Sequence, residues 1–162
     1  DDQPVWVRHP TADVAAFVVS LPPDSAMKPL AFEQLVADPS QFAAVFSVGR
    51  DAWMPCYPAT TEANSAGWPI LRRGSIASYP LSPVENIKTF YIDVSAFGGE
   101  SGAPVVIPWQ DDVKVVGIVH GMQRQTDKST LPFEERTMHT PLGLSIVVQA
   151  AFVRETLMLL PR

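Results

Sequence analysis

Short apolar runs alternate with turn-forming residues along the whole chain. Sixteen prolines and nine glycines separate segments that are rich in Val, Ile and Phe. Branched and aromatic side chains pack well on a pleated sheet, whereas proline and glycine interrupt strands and form turns. The pattern therefore predicts an all-β fold with few helices. The predicted strands cover residues 5–9, 13–20, 43–49, 70–79, 88–94, 104–107, 113–120 and 143–148.

Two segments depart from this strand pattern. Leu-Pro-Pro-Asp at 21–24 ends the second predicted strand, and residues 31–38 then carry apolar positions at helical spacing. This stretch predicts a connection between two sheets that contains one short helix. The segment 149–160, which stops before Pro161, predicts a terminal helix docked on the sheet, although no capping side chain begins it. The apolar positions on one face of this helix are Phe152, Val153, Leu157 and Leu160.

Composition narrows the classes of partner. The 162 residues suffice for one domain with a sizeable core, and 46% of them are apolar. The net charge is −5 and the basic residues are scattered, which excludes the basic patch of a nucleic-acid-binding protein. The single Cys56 excludes an internal disulfide. No apolar stretch approaches the roughly 18 residues of a membrane span, so no membrane partner is expected.

The segment Gly-Gly-Glu-Ser-Gly-Ala-Pro at 98–104 is the candidate for chemistry. A serine hydroxyl becomes an effective nucleophile only beside a base and near N–H donors that stabilise a developing oxyanion. Glycines on both sides of Ser101 allow the backbone to adopt the required conformation and keep the space around the hydroxyl free. The alternative is a glycine-rich hairpin loop whose serine has no chemical role.

The sequence Gly-Glu-Ser-Gly-Ala-Pro-Val at 99–105 closely resembles the Gly-Asp-Ser-Gly-Gly-Pro-Val signature of trypsin-like, chymotrypsin-fold serine proteases. Val-Gly-Ile-Val at 116–119 is similar to the strand that follows in that family. His-Pro-Thr-Ala-Asp-Val-Ala at 9–15 resembles the segment that contains the aspartate of the catalytic triad, and Arg-Arg-Gly-Ser-Ile-Ala-Ser at 72–78 resembles a strand of bacterial members. The similarity extends to residues 141–148 and the final helix, and it is greatest to disulfide-free bacterial members of the HtrA and V8-type groups.

The resemblance implies a chymotrypsin-like antiparallel β-barrel with a C-terminal helix. It divides the chain into the end of a first barrel at 1–22, a linker at 23–42 and a second barrel at 43–162. It implies that Ser101 is the nucleophile, Asp13 the triad aspartate, and the amides of Gly99 and Ser101 the oxyanion hole. The residues that it assigns to the substrate pocket are Ser95, Ala96, Phe97, Gly98, His120, Gly121 and Met122.

The histidine base of the triad is missing from the position that the family implies. In relatives it precedes the aspartate by a few tens of residues, whereas this chain begins shortly before Asp13. His9 is interpreted as a surface or turn residue, and His139 as a residue of the loop before the last strand. His120 ends a predicted strand, and two hypotheses remain for it: binding of an acidic substrate side chain, or a structural role beside Asp13.

Two departures from the family motif concern activation. Glu100 stands where the family has Asp or Asn, and Ala103 stands where it has Gly or Ser. Activation through an inserted N-terminus is therefore not carried over to this chain.

Two functions remain open. The first is the C-terminal part of a serine endopeptidase that is inactive as this chain alone, and the second is a non-catalytic trypsin-like domain that binds peptides or scaffolds a complex. An esterase is discounted, because Pro104 and the apolar residues after it predict a strand where the esterase elbow requires a helix.

The expected partners are a peptide or protein substrate together with a missing N-terminal segment or a second copy of the chain, since an incomplete barrel leaves edges unpaired. Three isolated histidines and one cysteine show no ligand spacing, so neither a metal nor a cofactor is expected.

Overall fold

The computed structural model describes residues 5–25, 29–44, 46–131 and 133–161. In these ranges antiparallel strands dominate and one α-helix lies near the C-terminus, so the predicted all-β class with a C-terminal helix is confirmed. The strands are β1 (Trp6–Arg8), β2 (Ala15–Phe17), β3 (Asp51–Cys56), β4 (Ile70–Ser75), β5 (Thr89–Ile92), β6 (Pro104–Trp109), β7 (Asp112–Leu131) and β8 (Glu134–Gln149), and the helix is α1 (Ala150–Met158). Short 3-10 turns cover Phe32–Gln34, Pro39–Phe42 and Pro58–Thr60.

The strands form two sheets. β1 and β2 make a two-stranded sheet, and the other six strands make a second sheet in the order β4-β3-β6-β7-β8-β5. The outer strands β4 and β5 approach each other through the residues that follow β4. Ile76 forms an isolated bridge with Ile92, and the amide of Asp93 donates to the carbonyl of Ser75 at 2.8 Å. The sheet therefore curls so that its two edges meet at one point, without a continuous ladder between them.

The main core lies on the concave side of the curled sheet. Alternate residues of β3 point inward and are fully buried, as the two-residue period of a strand requires. These are Ala52, Met54 and Cys56. Val105, Val116 and Val147 of three neighbouring strands join the same apolar cluster. A smaller cluster forms where Phe152 of α1 packs on Val14 and Val148, and it attaches the helix to both sheets.

The helix begins without a side-chain cap, as the sequence indicated. Gln149 occupies the N-cap position, but its side chain makes no cap hydrogen bond. The side-chain nitrogen Nε2 of Gln149 instead donates to the carbonyl of Leu81 at 2.9 Å and to that of Ile87 at 2.5 Å. This buried side chain therefore joins the helix start to the loop before β5, which serves the packing of the fold.

Several predictions of strand position were wrong. The residues described within 43–49 form turns and bends, because the Phe46 amide bonds back to the carbonyl of Phe42 at 2.7 Å and the Phe46 ring anchors the turn in the core. The strand lies instead at Asp51–Cys56, a segment that contains Pro55 and was not predicted as a strand because proline disfavours strand interiors. The predicted short helix in 31–38 is a 3-10 helix, Phe32–Gln34, and it lies in the connection between the two sheets as expected. Strands β7 and β8 also run far beyond their predicted limits and form a long hairpin.

Within the ranges that the structure describes, no helix has both the length and the apolar character needed to cross a membrane.

Candidate functional site

Two consecutive turns between β5 and β6 present Ser101. Gly99 has a φ of +91° and Gly102 has a φ of +88°, backbone conformations that residues other than glycine rarely adopt. The amide of Ala103 donates to the carbonyl of Glu100 at 3.0 Å, which closes the turn around the serine. The amide of Gly102 then bonds to the carbonyl of Val119 at 2.7 Å, so the serine is held against strand β7. The glycines flanking the serine are therefore required by the backbone.

The hydroxyl of Ser101 is exposed and lies beside His120. Its nearest hydrogen-bond acceptor is the backbone carbonyl oxygen of His120, at an Oγ–O distance of 3.5 Å. This contact is long for a hydroxyl donor, so the Ser101 side chain is only weakly held. Among the described residues, no histidine nitrogen makes a hydrogen bond with this hydroxyl.

Asp13 approaches the same point from the other sheet. It lies in the bend before β2, and its Oδ2 atom is 3.0 Å from Nδ1 of His120. Both side chains remain accessible to water, at 71% exposure for Asp13 and 41% for His120. Ser101 and Asp13, far apart in the sequence, therefore both contact His120, the first through its backbone carbonyl and the second through its ring.

The carboxyl group of Glu100 lies behind the serine and is completely buried. Its Oε1 atom is 2.8 Å from Nη1 of Arg72 and accepts a hydrogen bond from Sγ of Cys56 at 3.2 Å. Its Oε2 atom accepts from the backbone amide of Phe97 at 2.6 Å. Both oxygens of this buried charge are thus satisfied, as burial of a carboxylate requires.

Cys56 takes part in this network as a neutral donor. Burial, followed by the neighbouring Glu100 carboxylate, raises the pKa of the Cys56 thiol to about 11. The thiol therefore stays protonated near neutral pH and can donate to Glu100. Sequence reasoning missed both Cys56 and Arg72, because neither lies near the serine in the chain. The one available signal was Glu100 itself, a charge beside an apolar strand that would need a partner.

The residues assigned to the substrate pocket come from two segments. Ser95, Ala96, Phe97 and Gly98 precede the serine, and His120, Gly121 and Met122 continue strand β7. Within the first segment Ala96 is buried and Phe97 is 52% exposed. In the second, Met122 packs against the main core, and strand β7 has a bulge between Val119 and Gly121. Both segments flank Ser101, the first through the chain and the second through the His120 carbonyl.

The other two histidines are placed away from the serine. His9 is buried, which corrects its interpretation as a surface residue, whereas its interpretation as a turn residue agrees with the structure. Its Nδ1 atom accepts from the amide of Ala12 at 2.9 Å and its Nε2 atom lies 2.9 Å from Glu155, so it fastens the first turn to α1. His139 lies within β8 and contacts Thr126 at 2.9 Å, so its assignment to a loop was also wrong.

A scan against models of known protein families gave no match, and a search of curated proteins found no significant match. The function of this chain is therefore inferred from its residues and their geometry.

Proposed function

We propose that this chain is the C-terminal part of a trypsin-like serine endopeptidase with a chymotrypsin-like fold. Ser101 attacks the carbonyl carbon of a peptide bond, and the amides of Gly99 and Ser101 stabilise the oxyanion that develops. Asp13 orients a histidine that a segment outside these 162 residues contributes, so the chain alone is inactive. The observation that carries this proposal is that Ser101 and Asp13 both contact His120.

The curled sheet supports the proposed barrel. The six strands follow the order β4-β3-β6-β7-β8-β5. Ile76, the residue after β4, forms a bridge with Ile92 of β5, so the two edges of the sheet come together. The serine turn and the adjoining part of β7 lie next to each other through the bond between Gly102 and Val119. In this proposal the second barrel presents the nucleophile and the two-stranded sheet belongs to the first.

The proposed substrate pocket has no charged side chain on the wall at 95–98, which disfavours a preference for Lys or Arg. His120 could bind an acidic substrate side chain only if its imidazole were free to do so. Because Nδ1 of His120 lies against the Asp13 carboxylate, the geometry favours the structural role of this ring. An acidic preference therefore has weaker support than an uncharged one.

The second candidate function is a non-catalytic trypsin-like domain that binds or scaffolds polypeptides. One observation favours it: in the part of the chain that the structure describes, the hydroxyl of Ser101 has no histidine partner. Without a base, a serine hydroxyl is a weak nucleophile.

Peptide hydrolysis by the protein expressed from its complete gene separates the two functions. For the endopeptidase, Ser101→Ala abolishes hydrolysis and Asp13→Asn lowers kcat by roughly 10⁴-fold, because a histidine in the wrong tautomer cannot act as base. Ser65→Ala, at an exposed serine of another turn, is the control and retains activity. A fluorophosphonate probe should modify Ser101 in the same protein and leave the 162-residue chain unlabelled. If the complete protein neither hydrolyses peptides nor reacts with the probe, the endopeptidase proposal is wrong.

A further inference from the structure

The turn that carries Ser101 is anchored by a buried ion pair within the chain. The Glu100 side chain has no exposed surface, and the Arg72 side chain that faces it is 21% exposed. Removing a charge from water costs several kcal/mol unless a partner compensates it. The turn can therefore keep Glu100 inside only while a cation is present next to it.

Arg72 contacts the turn at both ends. Its Nη1 atom lies 2.8 Å from Oε1 of Glu100, and its guanidinium carbon lies 5.3 Å from the centre of the Phe97 ring. The same carboxylate accepts from the Phe97 amide through its other oxygen at 2.6 Å. Arg72, Glu100 and Phe97 therefore form a closed set of contacts around the backbone that leads to Ser101.

The register of β3 and β4 determines which arginine enters this set. Neighbouring residues of a strand point to opposite faces, so Arg72 turns inward while Arg73 turns outward. Arg73 pairs instead with Asp51 at 2.6 Å, and the side chains of both are largely exposed. An exposed pair contributes little to stability, which makes Arg73 a matched control for Arg72.

We propose that Arg72 is a positioning residue for the Ser101 site and the cation that keeps the site permanently formed. Its guanidinium holds Glu100, and Glu100 holds the amide of Phe97, so the turn from 97 to 101 adopts its shape without a cation from elsewhere. The role of the turn in acyl transfer rests on the proposed function, whereas its ordering by Arg72 does not.

Amide hydrogen exchange measured by NMR on the whole chain tests the proposal. In Arg72→Met the amides of Phe97 and Ala103, which donate to the side chain and the carbonyl of Glu100, should exchange at least tenfold faster than in the original protein, with a larger change than the amides of β6. The Phe97 amide resonance should shift, because its acceptor is released. Arg72→Lys should restore part of the protection, since a lysine keeps the charge but loses the planar fork. Arg73→Met should leave the turn unchanged.

A second variant keeps the test decisive if Arg72→Met does not fold. The double variant Arg72→Met with Glu100→Gln removes both charges and leaves no unpaired buried ion. It should fold and still show faster exchange at Phe97 and Ala103. The proposal is overturned if a folded Arg72 variant keeps the turn protected, or if Arg73→Met loosens it equally.

The two proposals can fail separately. If the turn loosens in Arg72→Met but Ser101→Ala leaves peptide hydrolysis by the complete protein unchanged, the positioning role stands and the endopeptidase function fails. If the turn keeps its protection, the positioning role fails whatever the activity.

Discussion

The conformation of the serine turn depends on two residues that lack a side chain. Gly99 and Gly102 both have positive φ, and a Cβ at Gly99 would lie 3.5 Å from the carbonyl oxygen of Tyr57. Gly98 differs, since its φ is not positive and a Cβ there would meet no atom within 4 Å. The three glycines near Ser101 thus differ in what the backbone requires of them, although the sequence alone does not distinguish them.

We expect Gly99→Ala and Gly102→Ala each to lower the free energy of unfolding by about 1–2 kcal/mol, because an L side chain is strained at these angles. Gly98→Ala is the control and should change it by less than about 0.5 kcal/mol. Urea unfolding followed by circular dichroism measures all three. An equal loss in Gly98→Ala would contradict the stated cause.

Among the elements, β7 and β8 combine two different parts. Their inner parts, 113–119 and 145–149, lie between neighbouring strands and belong to the core. Beyond Met122 they pair only with each other, and the side chains described in 124–130 and 134–142 are exposed. A two-stranded ribbon without a buried face is marginally stable in water. The outer ribbon should therefore add little to the stability of the domain.

We expect replacement of residues 126–139 by Asn-Gly, a favoured two-residue hairpin turn, to leave the free energy of unfolding within about 1 kcal/mol of the original. Ile107→Ala, in the core, should instead lower it by about 2–5 kcal/mol. Thermal and urea unfolding compare the two variants. A loss of cooperative unfolding in the shortened protein would show that the ribbon stabilises the core.

The two-stranded sheet of β1 and β2 exposes several large apolar side chains to water. Strand β2 and the residues after it expose Phe17 by 62%, Val18 by 68% and Val19 by 63%. Trp6 lies opposite Phe17 in the register of β1 and β2 and is 41% exposed. Exposed apolar patches of this kind mark interaction sites, and edge strands pair readily with other chains. This surface is consistent with the proposed association with a further segment or a second copy.

We expect the 162-residue chain to self-associate with increasing concentration, as measured by sedimentation velocity. The double change Phe17→Ser and Val19→Ser should shift it towards monomer, because it removes the apolar groups that association would bury. Phe133→Ser, at the exposed tip of the ribbon, is the control and should have no such effect. A chain that stays monomeric at every concentration would rule out this use of the surface.

Local signals in the sequence were sufficient for the all-β class, the turn at Ser101 and the terminal helix. Each of these follows from a few neighbouring residues: alternating apolar runs, glycines beside a serine, and one apolar face at 149–160. Where local signals conflict, the sequence misleads. The apolar segment 43–49 favours a strand, yet burial of the Phe46 ring holds it in a turn, and the strand forms at Asp51–Cys56 instead.

The tertiary structure alone decided which distant groups meet. The pairing of Arg72 with Glu100 depends on the register of β3 with β4 and on the path of the turn, and no short window of sequence contains both. The contact of Asp13 with His120 similarly requires two sheets to pack against each other. Propensity and periodicity act over neighbouring residues, whereas burial and charge pairing are properties of the whole packed chain. For this reason the sequence by itself indicated the all-β class, the terminal helix and the candidate nucleophile, whereas only the folded chain determined which groups surround Ser101.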